Sequence, residues 1–240
     1  MALRYVFASG KGGVGKSSAA AGISRALCAR GCKVLLCDFD IGLRSLDLML
    51  GLSETVVFDW GDIIAGRCAY EDAVLTDGNL SFLAAPRSFE DSFTPDSVRA
   101  FICDVQDAFD YVIFDAPAGI GRGFELASAA ADTACLVTTP DSVCARSCAV
   151  AASLLRESGK SNIRLIINRF EEKPVTKKKL LNIDDCIDAV AVRLLGIIPE
   201  DETIVYSSVT GKNPDRRSPS FSAFGRIAGR MLGERIPLFD

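Results

Sequence analysis

Ser9-Gly10-Lys11-Gly12-Gly13-Val14-Gly15-Lys16-Ser17-Ser18 carries the residue types and spacing most suited to chemistry in this chain. The run has the form G-x-x-x-x-G-K-S, and it lies between a short apolar stretch, Leu3 to Ala8, and a helical pattern starting near Lys16. A strand–loop–helix setting is what a phosphate-binding loop requires. Glycines at 10, 12, 13 and 15 allow a tight turn whose N–H groups, with Val14 and Ser18, face phosphate oxygens at the positive end of the following helix. On this reading Lys16 reaches the β- and γ-phosphates of a nucleotide and the Ser17 hydroxyl ligates Mg²⁺. Lys11 is a second cation inside the same loop. It is poorly placed to fold back onto its own nucleotide and better placed to reach the phosphates of a second subunit across a two-fold axis, where it would stabilise charge in trans. The alternative is an exposed, solvated lysine.

K-G-G-V-G-K-S resembles the deviant Walker motif of the MinD/ParA family of dimerising ATPases. The resemblance implies two subunits enclosing two ATP molecules, with each Lys11 contacting the other subunit's nucleotide. A second element supports it. Asp38-Phe39-Asp40-Ile41-Gly42-Leu43-Arg44-Ser45-Leu46-Asp47 follows an apolar strand, and two carboxylates two residues apart at a strand end point to one side of a sheet. Asp38 and Asp40 could therefore face Mg²⁺ and the γ-phosphate together, or merely cap the loop. The segment is similar to the first switch of the MinD branch. That similarity implies that Asp40 orients the attacking water and that Asp38 supports the metal.

Asp110-Tyr111-Val112-Ile113-Phe114-Asp115 is an apolar strand ending in an acid, the Walker B arrangement in which Asp115 faces Mg²⁺ across from Ser17. Glycines 119, 121 and 123 make the next segment deformable, as a second switch requires. Asn168-Arg169 and Ile198-Pro199-Glu200-Asp201 are similar to the family's adenine-contacting elements; the alternative for each is an ordinary exit from a strand. No N-K-x-D element for guanine is present. The expected ligands are ATP or ADP with Mg²⁺, and the reaction is hydrolysis of ATP.

The elements that must hold these residues alternate along the chain. Apolar, β-rich runs occur at Tyr5–Ala8, Val34–Cys37, Ser81–Ala84, Tyr111–Phe114, Cys135–Thr138, Leu165–Ile167 and Leu194–Ile198. Helical patterns occupy Ser18–Arg30, Pro95–Ala108, Ser142–Ser158 and Ile183–Val192, and the lysine-rich stretch Glu171–Lys179 reads as an exposed connection. Continuous apolar strands separated by helices predict an α/β fold: one doubly wound, mostly parallel sheet with helices on both faces, in a single domain over residues 1–240.

Composition sets the remaining bounds. The 240 residues are 49% hydrophobic and 24% charged with a net charge of −4, which argues against general nucleic-acid binding. No apolar run approaches the roughly 20 residues of a membrane span, and the N-terminus enters a strand with no room for a secretory signal. Nine cysteines without a C-x-x-C pair read as reduced thiols, buried for the most part in helix and strand patterns, with Cys68 in a turn. Histidine is absent, so no imidazole serves as base or ligand.

By its resemblance the chain is expected to be a cytoplasmic ATP-dependent homodimer in division-site placement. Activator and effector division proteins would be its partners, and its place would be the inner face of the membrane if a basic amphipathic tail exists outside this chain. Such a tail is not present here: Pro219–Arg235 is helical in pattern, but Phe221, Phe224, Ile227, Ala228, Met231 and Leu232 form a core-packing stripe. A ParA-like partitioning ATPase would want a basic surface. An iron–sulfur carrier would want cysteines after Asp115, and a synthetase on this fold would keep a one-lysine loop.

Overall fold

The computed structural model describes residues 1–171, 180–211 and 215–239. Beyond Glu171 the lysine-rich connection lies outside the described residues, as does Asp240. Among the described residues eight strands form one sheet: β1 (Leu3–Ser9), β2 (Val34–Asp38), β3 (Leu75–Asp77), β4 (Leu80–Leu83), β5 (Tyr111–Ala118), β6 (Thr133–Thr138), β7 (Asn162–Phe170) and β8 (Arg193–Pro199). Their order is β3-β4-β2-β5-β1-β6-β7-β8, and every neighbouring pair is parallel except β3 with β4. β3 is the strand that apolar patterning does not reveal. It is three residues long and mostly polar, and it turns into β4 through Gly78-Asn79, a two-residue hairpin loop.

Alternate residues along each central strand enter different cores, as expected of a sheet covered on both sides. Val6, Leu35, Val112, Phe114 and Leu136 face one side, packed under α3 (Trp60–Ile64), α4 (Tyr70–Ala73), α5 (Pro95–Val105), α6 (Arg122–Ala129), α7 (Ser142–Glu157) and α8 (Ile183–Val190). Phe7, Leu36, Ile113 and Val137 face the other, under α1 (Lys16–Cys28), α2 (Leu46–Leu50), α9 (Glu202–Thr210) and α10 (Pro219–Met231). The α10 stripe joins this second core through Phe224, Ile227, Ala228 and Met231, while Phe221 and Leu232 stay partly exposed.

Local chemistry explains most helix starts. Thr94 accepts from the Ser97 N–H at 3.1 Å with Pro95 in the first turn of α5, Asp141 accepts from the Cys144 N–H at 2.9 Å, and Ser218 precedes Pro219. α1 is different. Its N-cap is Gly15, with φ 84° and no side-chain cap, so its first N–H groups are left for a ligand.

Five of the cysteines are buried, and burial pushes the Cys135 thiol up to about 12. Two depart from the sequence pattern: Cys103 is exposed on α5, and Cys32 sits in the α1–β2 connection rather than inside an element.

Close packing of α1 on α10 yields a stability test. A Cβ at Gly22 would meet the buried Phe224 ring at 2.4 Å, whereas one at Gly225 meets nothing within 4 Å. Gly22→Ala should lose about 1–3 kcal/mol through overpacking despite its better helix propensity. Gly225→Ala should gain about 0.5–1 kcal/mol. Urea denaturation of both variants decides; a stabilised Gly22→Ala would refute the contact.

Candidate functional site

Parallel strands bring the acids together at their carboxyl ends. Asp115 of β5 is register-paired with Phe7 of β1 on one side and with Asp38 of β2 on the other. Both aspartates are fully buried. Into this corner the first residue of α1 extends its side chain: Lys16 Nζ lies 2.6 Å from Asp115 Oδ1 and donates to Ser17 Oγ at 3.2 Å. Asp115 Oδ2 is buried with no hydrogen-bond partner. Lysine, hydroxyl and half-satisfied carboxylate thus converge at the uncapped start of a helix.

The loop wraps a cavity of about 240 Å³ lined in part by Ser9, Gly12, Gly13, Ser18, Asp40 and Arg169. Two of its glycines have reasons beyond turning. A Cβ on Gly10 would strike the Ser147 carbonyl of α7 at 2.1 Å, so the loop lies directly on that helix. A Cβ on Gly15 would strike Asn168 Nδ2 at 2.2 Å, at a residue already held at positive φ. The Lys11 side chain is exposed and makes no hydrogen bond or ion pair with the described residues; burial works against the Asp141 carboxylate, but hydrogen bonds from Thr139 and Cys144, with a smaller contribution from the Lys11 charge, hold it below the usual carboxylate range.

Asp38 is not where the alternation argument puts it. β2 ends at Asp38, so Asp40 lies beyond the strand, and only Asp40 lines the cavity. Asp38 Oδ1 accepts from the Asp40 N–H at 2.8 Å and Oδ2 from the Leu46 N–H at 3.2 Å. Its carboxylate thereby shapes the loop between them, beside Asp115 and Lys16. Burial raises the Asp38 pKa, and the neighbouring Asp115 charge raises it further, while these two N–H bonds and Lys16 oppose the shift. Asp40 is half-buried, and burial raises its pKa with Lys16 opposing.

The adenine candidates separate into three placements. Asn168 is buried against the loop, donating from Nδ2 to the Val14 carbonyl at 2.7 Å, with Oδ1 buried and unpartnered. Arg169 is exposed at the cavity edge with φ 56° and lies 3.9 Å from Glu200. Pro199 and Glu200 line a neighbouring cavity of about 450 Å³ with Phe170. Asp201 is committed to structure: it accepts from Thr203 at 2.9 and 2.7 Å at the start of α9 and from Ser220 at 3.1 and 2.6 Å at the start of α10. That pairing gives Asp201 a structural role at two helix starts. At Gly123, in the first turn of α6, a Cβ would meet the Pro117 ring at 2.6 Å.

Other contributors have roles that the sequence reading did not assign. Trp60 donates from Nε1 to the Asp38 carbonyl at 2.7 Å and stacks on Phe39 with ring centroids 4.7 Å apart. Arg44, at φ 49°, pairs with Asp47 at 2.9 Å inside the first switch. Ser9, whose hydroxyl donates to the Lys11 carbonyl at 2.9 Å, adjoins the motif and is legible once the loop is found.

The donor set fits a nucleotide and Mg²⁺. All oxygen donors are hard, Asp115 keeps one oxygen without a partner while the other meets Lys16, and Mg²⁺ commonly takes one or two protein ligands with phosphates and waters completing the shell. Ser17 and Asp115 would hold it. Gly12 to Ser18 supply the anion cradle.

Because Lys16 and Asp115 are a buried pair, Lys16→Ala should lower stability by about 3–5 kcal/mol, and the Lys16→Ala/Asp115→Ala double variant should recover much of it. Additive losses in urea unfolding would refute the pairing. A second test concerns Asp201. Burial works against it, but the Ser220 and Thr203 hydrogen bonds outweigh that and hold its pKa below the ordinary value. Asp201→Ala should cost about 1–2 kcal/mol at neutral pH. The loss should persist down to about pH 4 and vanish as pH falls through the lowered folded-state pKa. A pH-independent loss would exclude a charged cap.

Comparison with known proteins completes the assignment. Residues 5–214 match the CobQ/CobB/MinD/ParA nucleotide binding domain family. The septum site-determining protein MinD of Synechocystis sp. is 37% identical over 242 residues, covering 98% of this chain and 91% of that protein. Bacillus subtilis MinD is 35% identical over 243 residues, covering 97% and 90%. Among solved structures, the MinC:MinD cell division protein complex of Aquifex aeolicus superposes with TM-score 0.91 at 34% identity, covering 100% of this chain and 99% of that one. MinD of Pyrococcus horikoshii OT3 complexed with Mg-ADP gives TM-score 0.86 at 26% identity, covering 98% and 100%. The fold is thus that of its relatives, and the chain belongs to the MinD group of the CobQ/CobB/MinD/ParA nucleotide-binding family.

Proposed function

We propose that this chain is an Mg-dependent ATPase that works as a dimerising switch in the placement of the division site. The observation that carries the reading is the division of labour between two lysines in one loop. Lys16 is buried and ion-paired with Asp115, inside its own subunit. Lys11 is exposed at the lip of the cradle, outside the cavity lining, and its ammonium has no ion-pair or hydrogen-bond partner among the described residues. Such a cation suits the phosphates of a second subunit's nucleotide.

The surroundings of Lys11 support an interface between copies. Gly10 rests on Ser147 of α7, and Val143 and Val150 of that helix are 58% and 47% exposed; Ile120, beyond Asp115, is 48% exposed. Apolar side chains ringing the loop would be covered when two loops meet.

Within the site, backbone N–H groups of Gly12 to Ser18 bind and orient the phosphates, and Lys16 neutralises charge on them. Asp40, the half-buried carboxylate at the cavity, orients the attacking water. Mg²⁺, when bound, supplies electrostatic stabilisation of the phosphates. Asn168 and Arg169 present an acceptor and a planar cation to the adenine, and Pro199 and Glu200 border it. Asp38 ties the switch loop to the sheet, so the loop's conformation reports on what Lys16 and Asp115 hold. The complex of an Aquifex aeolicus relative with MinC makes a division protein of that class the candidate effector, with a separate activator releasing the dimer. No described helix is long and apolar enough to cross a membrane, and any association with the inner membrane face would be peripheral.

Light scattering of Asp40→Ala in Mg-ATP and then Mg-ADP tests this switch. A dimer in ATP alone is expected, with hydrolysis slowed by about tenfold or more. Lys11→Ala should bind nucleotide yet remain monomeric. A monomeric Asp40→Ala in ATP, or a dimeric Lys11→Ala, would overturn the trans role.

A further inference from the structure

On the side of the sheet opposite α1, a cavity of about 470 Å³ runs along α6 between α5 and the end of α7. Its volume is within the range of small-molecule sites. One end is apolar, formed by Ile120, Phe124 and Leu154. The other end holds Ser128, four residues beyond Phe124 and therefore on the same face of α6. Ser128 is 6% exposed, and its Oγ has no hydrogen-bond partner. A serine inside a helix ordinarily bonds the carbonyl one turn back. Leaving this hydroxyl buried and unpaired costs about 1–3 kcal/mol, a cost that a ligand's polar group would remove once rotation of the Ser128 side chain turns Oγ, closed to solvent here, toward the cavity.

Charge at this end is balanced. Lys160 donates to the Ala131 carbonyl, in the turn that ends α6, so its ammonium lies beside the last turn containing Ser128. Burial holds Lys160 below the ordinary lysine value, with Asp132 opposing and Arg4 and Arg99 adding to the shift. Arg99, its guanidinium already paired with Asp96, lines the wall from α5, while Glu125 and Glu157 bring two carboxylates to the same cavity. A ligand carrying charge of one sign alone would meet two like charges here. A compact zwitterion satisfies both pairs, and its apolar body fills the end formed by Phe124, Ile120 and Leu154.

We infer that this cavity binds a small zwitterion with a large apolar side chain, an apolar α-amino acid or dipeptide, its carboxylate toward Lys160 and Ser128 and its ammonium toward Glu157. The site is separate from the phosphate loop and does not rest on the ATPase reading. Calorimetric titration with L-phenylalanine in the absence of nucleotide tests it. Two half-charged analogues serve as comparisons: phenethylamine, which lacks the carboxylate, and 3-phenylpropionate, which lacks the ammonium. Saturable binding is expected below about 10 mM, at least about tenfold weaker for each analogue. Ser128→Ala keeps the fold, since it deletes an unpaired hydroxyl, and should weaken binding by roughly threefold or more; Lys160→Met should weaken it by about tenfold. No saturable binding by the parent overturns the site. Equal binding of either analogue overturns the zwitterion. Unchanged affinity in either variant overturns the placement.

Discussion

The buried ion pair of Lys16 with Asp115 is the interaction on which the rest of the structure depends. It joins the first turn of α1 to the end of β5, and so fixes the phosphate loop to the centre of the sheet. Two charges with 6% and 0% exposure gain little net stability from one another, because removing them from water costs nearly as much as their attraction returns. Their value lies in position. A lysine held at the helix start and an acid with one unpaired oxygen form a polar corner that a hydrophobic pair could not supply.

Around that corner the two switch segments are attached by unlike means. The first hangs from Asp38, whose two carboxylate oxygens take the Asp40 and Leu46 N–H groups and whose carbonyl takes the Trp60 indole. The second leaves β5 after Ala118, three residues beyond Asp115, and reaches Ile120 and α6. One segment is governed by hydrogen bonds to a buried carboxylate, the other by its distance from the ion pair. Both end on exposed apolar side chains, Leu43 in the first and Ile120 in the second.

Much of this arrangement is legible in the chain. The phosphate loop is legible because each role demands a particular residue at a particular spacing. The parallel sheet is legible because buried strands must be apolar on both sides. β3 is not, because three residues with two polar ones carry no periodic signal and gain their pairing only from β4. The unlike places of Asp38 and Asp40 are hidden for a related reason: alternation holds only inside a strand, and β2 stops at Asp38. The capping role of Asp201 appears only when α10 is folded back upon it through Ser220.

By itself, then, the sequence determined the order of elements, the chemistry of the loop and the identity of the acids near it, all of which depend on local spacing and residue type. Tertiary structure alone decided which carboxylate meets Lys16, which one staples a loop and which caps two helices. It also placed an unpaired Ser128 hydroxyl among charges drawn from three helices. The reason is physical: burial and partner choice arise from residues distant in the chain, with Lys16 and Asp115 separated by 99 positions, and no local pattern encodes that meeting.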